Sequence, residues 1–205
     1  MHLEFLVEEP SVEVVLKTIV PGIVGEAATF RFHVHQGKSD LLASLPNRLR
    51  AYAKWLPDDW RMVVLVDEDR EDCQTLKAQL ETAAQRAGLT TKANTRPPAS
   101  FQVVNRIAVE ELEAWFFGDV EALCMAYPRI PATLGARAGF RDPDAVNGGT
   151  WEKLERVLQR HGYHRGGYPK IAGARAISQF MNPGRNRSRS FQVFREGLLA
   201  AVAGV

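Results

Sequence analysis

Cysteine is scarce. Cys73 and Cys124 are the only two in 205 residues, and they form no CxxC pair. This excludes a disulfide-stapled scaffold and a cysteine-rich zinc site. Long apolar runs are missing too: nothing approaches the roughly 18 consecutive residues that a membrane-spanning helix needs. The opening MHLEFLVEEP has neither the basic start nor the apolar stretch of a secretory signal. A cytoplasmic protein without a membrane segment is the expectation. Charge of one sign is not in excess either. The net charge of +2 is too small to imply a nucleic-acid partner by itself. There is no internal repeat and no low-complexity tract, which argues against a solenoid or a disordered linker.

The composition that is present, 45% hydrophobic and 24% charged, is that of an ordinary globular protein. The length suffices for one α/β domain with a sizeable core. Apolar runs and alternating patterns predict strands over 3–9, 28–36, 61–67 and 100–109. Helical spacing predicts helices over 11–24, with Ser11 as N-cap, over 39–56, with a break or second start at Pro46, and over 73–89. Residues 110–127 read as one helix or two short ones, and 150–162 and 168–181 as two more, with a loop over 140–151. Alternation of strand and helix implies an α/β fold whose sheet is mainly parallel, with right-handed crossovers. We expect a core over 1–127 and a helical extension over 128–205 packed on the same domain.

Charge is unevenly placed. The buried-looking run VVLV at 63–66 ends abruptly in DEDRED at 67–72, while base collects in NPGRNRSRSFQVFR at 182–195. An acidic cluster with a separate basic stretch suits an enzyme that binds metal and then a polyanion; the plainer alternative is solvated loops. In an open parallel sheet, functional groups gather beyond the carboxyl ends of the strands. Three predicted strands end there in acid: Glu8 and Glu9 after the first, Asp67 and Asp69 after the third, and Glu110, Glu111 and Glu113 after the fourth. Asp67 and Asp69 would face the same way in extended chain. Glu13 lies four residues beyond Glu9, in the first helical turn, and Glu110 and Glu113 would share a helical face. So many carboxylates repel one another unless a cation sits among them, and Mg²⁺ takes such oxygen ligands. A DxD alone is common in solvated turns; agreement of three strand ends favours the metal site.

This pattern resembles the Toprim fold of topoisomerases, primases and the overcoming-lysogenisation-defect nucleases. VDED at 66–69 is similar to the family's DxD motif. LVEEPSVE at 6–13 is similar to its glutamate motif, with Glu-Pro where Glu-Gly is usual, so that either Glu8 or Glu9 is the equivalent. Together with VEELEAWFFGD at 109–119 and QGKSDLL at 36–42, these motifs resemble a Toprim-like family, domain of unknown function 4276. The resemblance implies a Toprim-like, Rossmann-like sheet flanked by helices with a C-terminal helical extension. It also implies a Mg²⁺- or Mn²⁺-dependent nuclease acting on DNA ahead of RNA, and an ATPase partner in a bacterial anti-phage system. Glu8, Glu9, Glu13, Asp67, Asp69, Glu111 and Glu113 are then the metal-binding candidates. Glu9, Asp67, Asp69, Glu113 and Lys170 are the catalytic ones, Lys170 matching a lysine late in the related nucleases. The rival expectation is a non-catalytic Toprim-like adaptor that binds a protein partner.

Among the remaining residues, Lys38 follows a strand and opens a helix, where its charge and the helix amides suit a phosphate. It belongs to no P-loop, since GxxxxGK is absent. Arg185, Arg187, Arg189 and Arg195 either track a nucleic-acid backbone or pair with acids to hold the tail, Arg187 and Arg189 being the nucleic-acid candidates. His33 and His35 read as ordinary strand residues, and Trp115, Phe116 and Phe117 as core. Trp151 and Tyr163 carry no signal of their own.

Overall fold

The structure, a computed structural model, describes residues 1–96, 100–146 and 148–204. Its centre is a parallel sheet of β1 (His2–Val7), β2 (Thr29–Val34), β3 (Trp60–Asp67) and β4 (Val103–Ala108), in the order β2-β1-β3-β4. The chain moves outward from β1 to β2, then crosses back to β3 and on to β4. Right-handed crossovers therefore put α1 (Pro10–Val24) on one face, and α2 (Lys38–Tyr52) and α3 (Cys73–Arg86) on the other. The side chains obey this. Leu3, Phe5, Val7, Val63 and Leu65 join the core under α1, while Leu6, Met62, Val64 and Val66 join that under α2 and α3. This two-sided burial explains why β3 reads as an unbroken apolar run.

The helix ends differ from expectation in two places. Pro10, not Ser11, opens α1: Glu9 is the N-cap, and the fixed φ of proline suits the first helical turn. Pro46 neither breaks nor restarts α2, which runs through it. Beyond β4, α4 (Glu113–Gly118) and α5 (Val120–Ala126) are the two short helices. They are followed by α6 (Thr150–Arg160), α7 (Lys170–Ser178) and α8 (Arg189–Ala203). The loop expected over 140–151 contains a short 3₁₀ turn at Pro143–Ala145, and position 147 lies outside the described residues.

The basic stretch is where the fold departs furthest from a solvated loop. Its second half is helical: Ser188 caps α8, accepting from the Phe191 N–H at 3.1 Å. Phe191, Phe194, Leu198 and Ala201 of α8 are fully buried against the α1 face of the sheet, each of the three large side chains contributing about 2 kcal/mol of burial. The first half is pinned from below. Arg187 N–H donates to Gly118 C=O at 2.9 Å, and the Asn186 amide donates to Trp115 C=O at 2.8 Å. A Cβ on Gly118 would sit 2.1 Å from Asn186 Oδ1, so this crossing requires glycine. Arg185 grips the buried Asp119 carboxylate in a fork, at 2.8 and 3.1 Å.

Candidate functional site

Adjacent strands β1 and β3 are left by connections that run in opposite directions, so a crevice opens at their carboxyl ends. Glu8 leaves β1 there and is almost completely buried; its Oε1 accepts the backbone N–H of Asp67 at 2.7 Å. Burial pushes the Glu8 carboxyl up to about 7, against the opposing pull of that N–H and of Lys38, and Asp69 and Glu9 push the same way as burial. Asp67, at the last position of β3, has its carboxyl held well above the usual range by desolvation and then by Glu8, Glu113, Asp69 and Glu9. Glu113, the first residue of α4, is 3% exposed and raised to about 7, chiefly by burial. Carboxyls from three strand ends thus lie near one another, and Glu8 and Glu113 both push up that of Asp67.

Two lysines flank them. Lys170, at the start of α7, approaches Glu9 Oε1 at 3.8 Å and lies over the Trp151 ring at 5.5 Å. Burial works against its charge, but Glu113, Glu9, Glu111 and Asp67 outweigh it and raise its pKa. Lys38, the first residue of α2, donates to Glu68 C=O at 2.9 Å and pairs with Asp69 at 2.6 Å and Glu71 at 3.2 Å. Burial opposes its charge as well, and Asp69 and Glu71 prevail to raise its pKa. Beside the crevice a cleft of about 680 Å³ is lined by Asp69, Arg70, Glu71, Glu110, Glu111, Gly148, Gly149 and Glu152.

Not every predicted residue falls where spacing put it. Asp69 does not follow Asp67 in extended chain: its φ is +53°, so strand alternation no longer governs its direction, and its carboxylate turns to Lys38. Glu110 shares no helical face with Glu113, because it has φ +61° and precedes the helix. The two loops hold these conformations mutually. Asp69 N–H donates to Glu110 C=O at 2.7 Å, and Glu110 N–H donates to Glu68 Oε2 at 2.9 Å. Left-handed backbone at a non-glycine residue costs roughly 1 kcal/mol, which such paired loops sustain. Glu111 serves another helix: its Oε2 accepts from Thr150 Oγ1 and from Trp151 N–H, each at 2.8 Å, at the start of α6. Glu13 pairs with Lys17 at 2.7 Å, one turn along α1. Arg185 is committed to Asp119 and Glu121; Arg189 meets Glu196 in an exposed pair, and Arg187 lines a shallow pocket with Gly135 and Asp119.

Sequence reasoning missed the role of Lys38 as counter-charge to the acidic loop, because its partners lie about 30 residues away. It also missed Trp151, which no local pattern marks, and a further buried acid outside the crevice. Glu4 of β1 is 3% exposed and bridges His33 Nε2 at 2.5 Å and His2 Nε2 at 3.3 Å.

The donor set of the crevice consists of oxygens, which fits a hard divalent cation such as Mg²⁺ or Mn²⁺. As the side chains stand, however, no three His, Cys, Asp or Glu residues among those described are grouped so as to hold a metal ion. Lys38 and Lys170 supply the nearby positive charge instead, and coordination would require Glu8, Asp67 and Glu113 to turn toward one point. No helix among the described residues is long and apolar enough to cross a membrane. No curated protein and no solved structure matches the chain. A family model does, over residues 7–199, and it reaches from the end of β1 into α8, so it takes in every acid and both lysines of the crevice. The chain belongs to the family described as domain of unknown function 4276.

Proposed function

We propose that this chain is a divalent-metal-dependent nuclease of Toprim type. It would work in the cytoplasm on DNA in preference to RNA, as the effector of a bacterial anti-phage system with an ATPase partner. One observation carries the proposal: the carboxyls of Glu8, Asp67 and Glu113, all raised by burial, lie at the switch point of a parallel sheet, near enough that Glu8 and Glu113 both act on Asp67, with Lys170 beside them. A glutamate after the first strand and Asp-x-Asp after the third also keep the Toprim order of motifs. In this mechanism Glu8, Glu9, Asp67 and Glu113, with Asp69 as a further oxygen donor, would hold the ion. A bound ion would supply positive charge to stabilise the leaving oxygen of a phosphodiester. Lys170 stabilises charge developing on the phosphate. Without an ion, burial holds the Glu8 and Glu113 carboxyls up at about 7, so taking up a cation near neutral pH would release protons. Arg187 and Arg189 add affinity for the polyanion.

A second reading has its own support. Lys38 already pairs with Asp69 and Glu71, Lys170 lies 3.8 Å from Glu9, and no three acids among the described residues are grouped to hold an ion, which suits a non-catalytic adaptor. One set of assays separates the two. The protein is incubated with supercoiled DNA, linear DNA and RNA in Mg²⁺, Mn²⁺ or chelator, and titrated calorimetrically with each metal. Metal-dependent cleavage that Asp67→Asn and Glu113→Gln reduce at least about 100-fold, with unchanged circular dichroism, is the expected outcome. Absence of both metal binding and cleavage would leave the adaptor.

A further inference from the structure

We infer that β2 is a self-association edge through which two copies of this chain join their sheets antiparallel about a two-fold axis at Phe32. The inference is independent of the proposed activity and concerns the sheet edge, away from the crevice between β1 and β3. Among the described residues only β1 pairs with β2. Thr29 N–H donates to Met1 C=O and His35 N–H to Val7 C=O, so odd-numbered residues of β2 face β1. By ladder alternation the N–H and C=O groups of Phe30, Phe32 and Val34 point outward. The strand is TFRFHV, six residues with no proline and no glycine and with one permanent charge, Arg31. Solvent-facing edges are ordinarily defended by charged side chains, proline or a bulge, and this one carries only Arg31.

Its side chains are self-complementary in one register. Phe30, Phe32 and Val34 lie on the α1 face, half-buried against that core, with Phe32 stacked on Phe5 at 4.9 Å. Arg31 and His33 lie on the other face, where His33 meets Glu4 and Tyr52. Directly opposed residues of an antiparallel pair point to the same face, so the axis must pass through a residue. An axis at Arg31 would set two guanidinium groups opposite each other, which repels. An axis at Phe32 sets Phe32 against its own copy, Phe30 against Val34 and Arg31 against His33. It also uses every outward backbone group of the strand, six hydrogen bonds against four for the axis at Arg31.

Sedimentation equilibrium of the full chain at about 50 μM should give twice the mass of 22.8 kDa. Phe32→Pro removes an outward N–H that β1 does not use, and should give the monomer mass with an unchanged circular dichroism spectrum. Should that variant fail to fold, cysteine cross-linking reads the same geometry. In a Cys73→Ser/Cys124→Ser background, Phe32→Cys should oxidise to a reducible dimer, its Cα atoms being about 5.5 Å apart across the axis. Phe30→Cys should not, since its copy is displaced by four residues, about 13 Å along the strand. A monomeric wild type, or cross-linking at position 30 rather than 32, would overturn the inference.

Discussion

Glu113 shows what a single buried acid does to the molecule. Its carboxyl titrates near 7 in the folded protein against an ordinary 4.5, so between those values the folded state binds protons more tightly than the unfolded chain. The stability tied to that proton is fully present below about pH 4.5 and is lost as pH rises through about 7, on the order of 3 kcal/mol. Glu8 and Asp67, both raised by burial, act in the same direction. Thermal melts from about pH 5 to about pH 8 should therefore decline for the wild type. Glu113→Gln, which cannot ionise, should show a flatter profile and a higher melting temperature at the alkaline end. Parallel profiles would mean that Glu113 is already ionised when folded. If the crevice takes Mg²⁺, the ion competes with these protons, and the rise in melting temperature on adding it should be larger above pH 7 than below.

At the scale of elements, the arginines of 182–195 divide by what they touch. Arg185 neutralises a carboxylate with no exposure, Asp119, which also caps α5 through Ala122 N–H and accepts from Asn182 N–H. Arg185→Ala leaves that charge with its two backbone donors alone. Because Arg185 is itself a third exposed, the cost is about 2 kcal/mol rather than that of a fully buried pair. The melting temperature should fall by roughly 4–8 °C, and calorimetry reads this directly. Arg189 meets only Glu196 in an exposed pair, worth little. Arg187→Ala with Arg189→Ala should leave the melt within a degree or so of wild type. If the proposed polyanion contact is made, the double variant should flatten the salt dependence of DNA binding by about one log unit per lost contact. An early melt with an unchanged slope would assign both residues to the scaffold.

At the scale of the whole molecule, residues beyond 127 complete the core rather than decorate it. Leu154, Leu158, Ile177, Phe191, Phe194 and Leu198 belong to the same buried cluster as Leu3, Phe5, Val15 and Trp115. The Trp115 indole N–H bonds Ser190 Oγ at 3.0 Å, and Lys170 reaches the crevice from α7. A fragment ending at 127 would expose the α1 face of the sheet and leave buried carboxyls without Lys170. Expressed alone, it should show no cooperative thermal transition, whereas an independently folding core would melt sharply.

Much of this was legible along the chain. Apolar runs of strand length alternating with helical spacing determined a parallel α/β sheet, because right-handed crossovers leave few ways to order the strands. The same logic placed Glu8 and Glu9, Asp67 and Asp69, and Glu110, Glu111 and Glu113 at strand ends on one edge of the sheet. α8 was not expected: Phe191, Phe194, Leu198 and Ala201 keep helical spacing, but the arginines beside them drew the reading to a basic stretch. Only the tertiary structure decided the rest. Asp69 and Glu110 take left-handed backbone because each loop hydrogen-bonds the other across β3 and β4, and no local rule at either position requires it. Glu111 went to the start of α6 and Lys38 to the acidic loop because partners distant in sequence arrived beside them. Side-chain direction beyond a strand end is set by such long-range contacts, and periodicity, which is local, stops where the strand does.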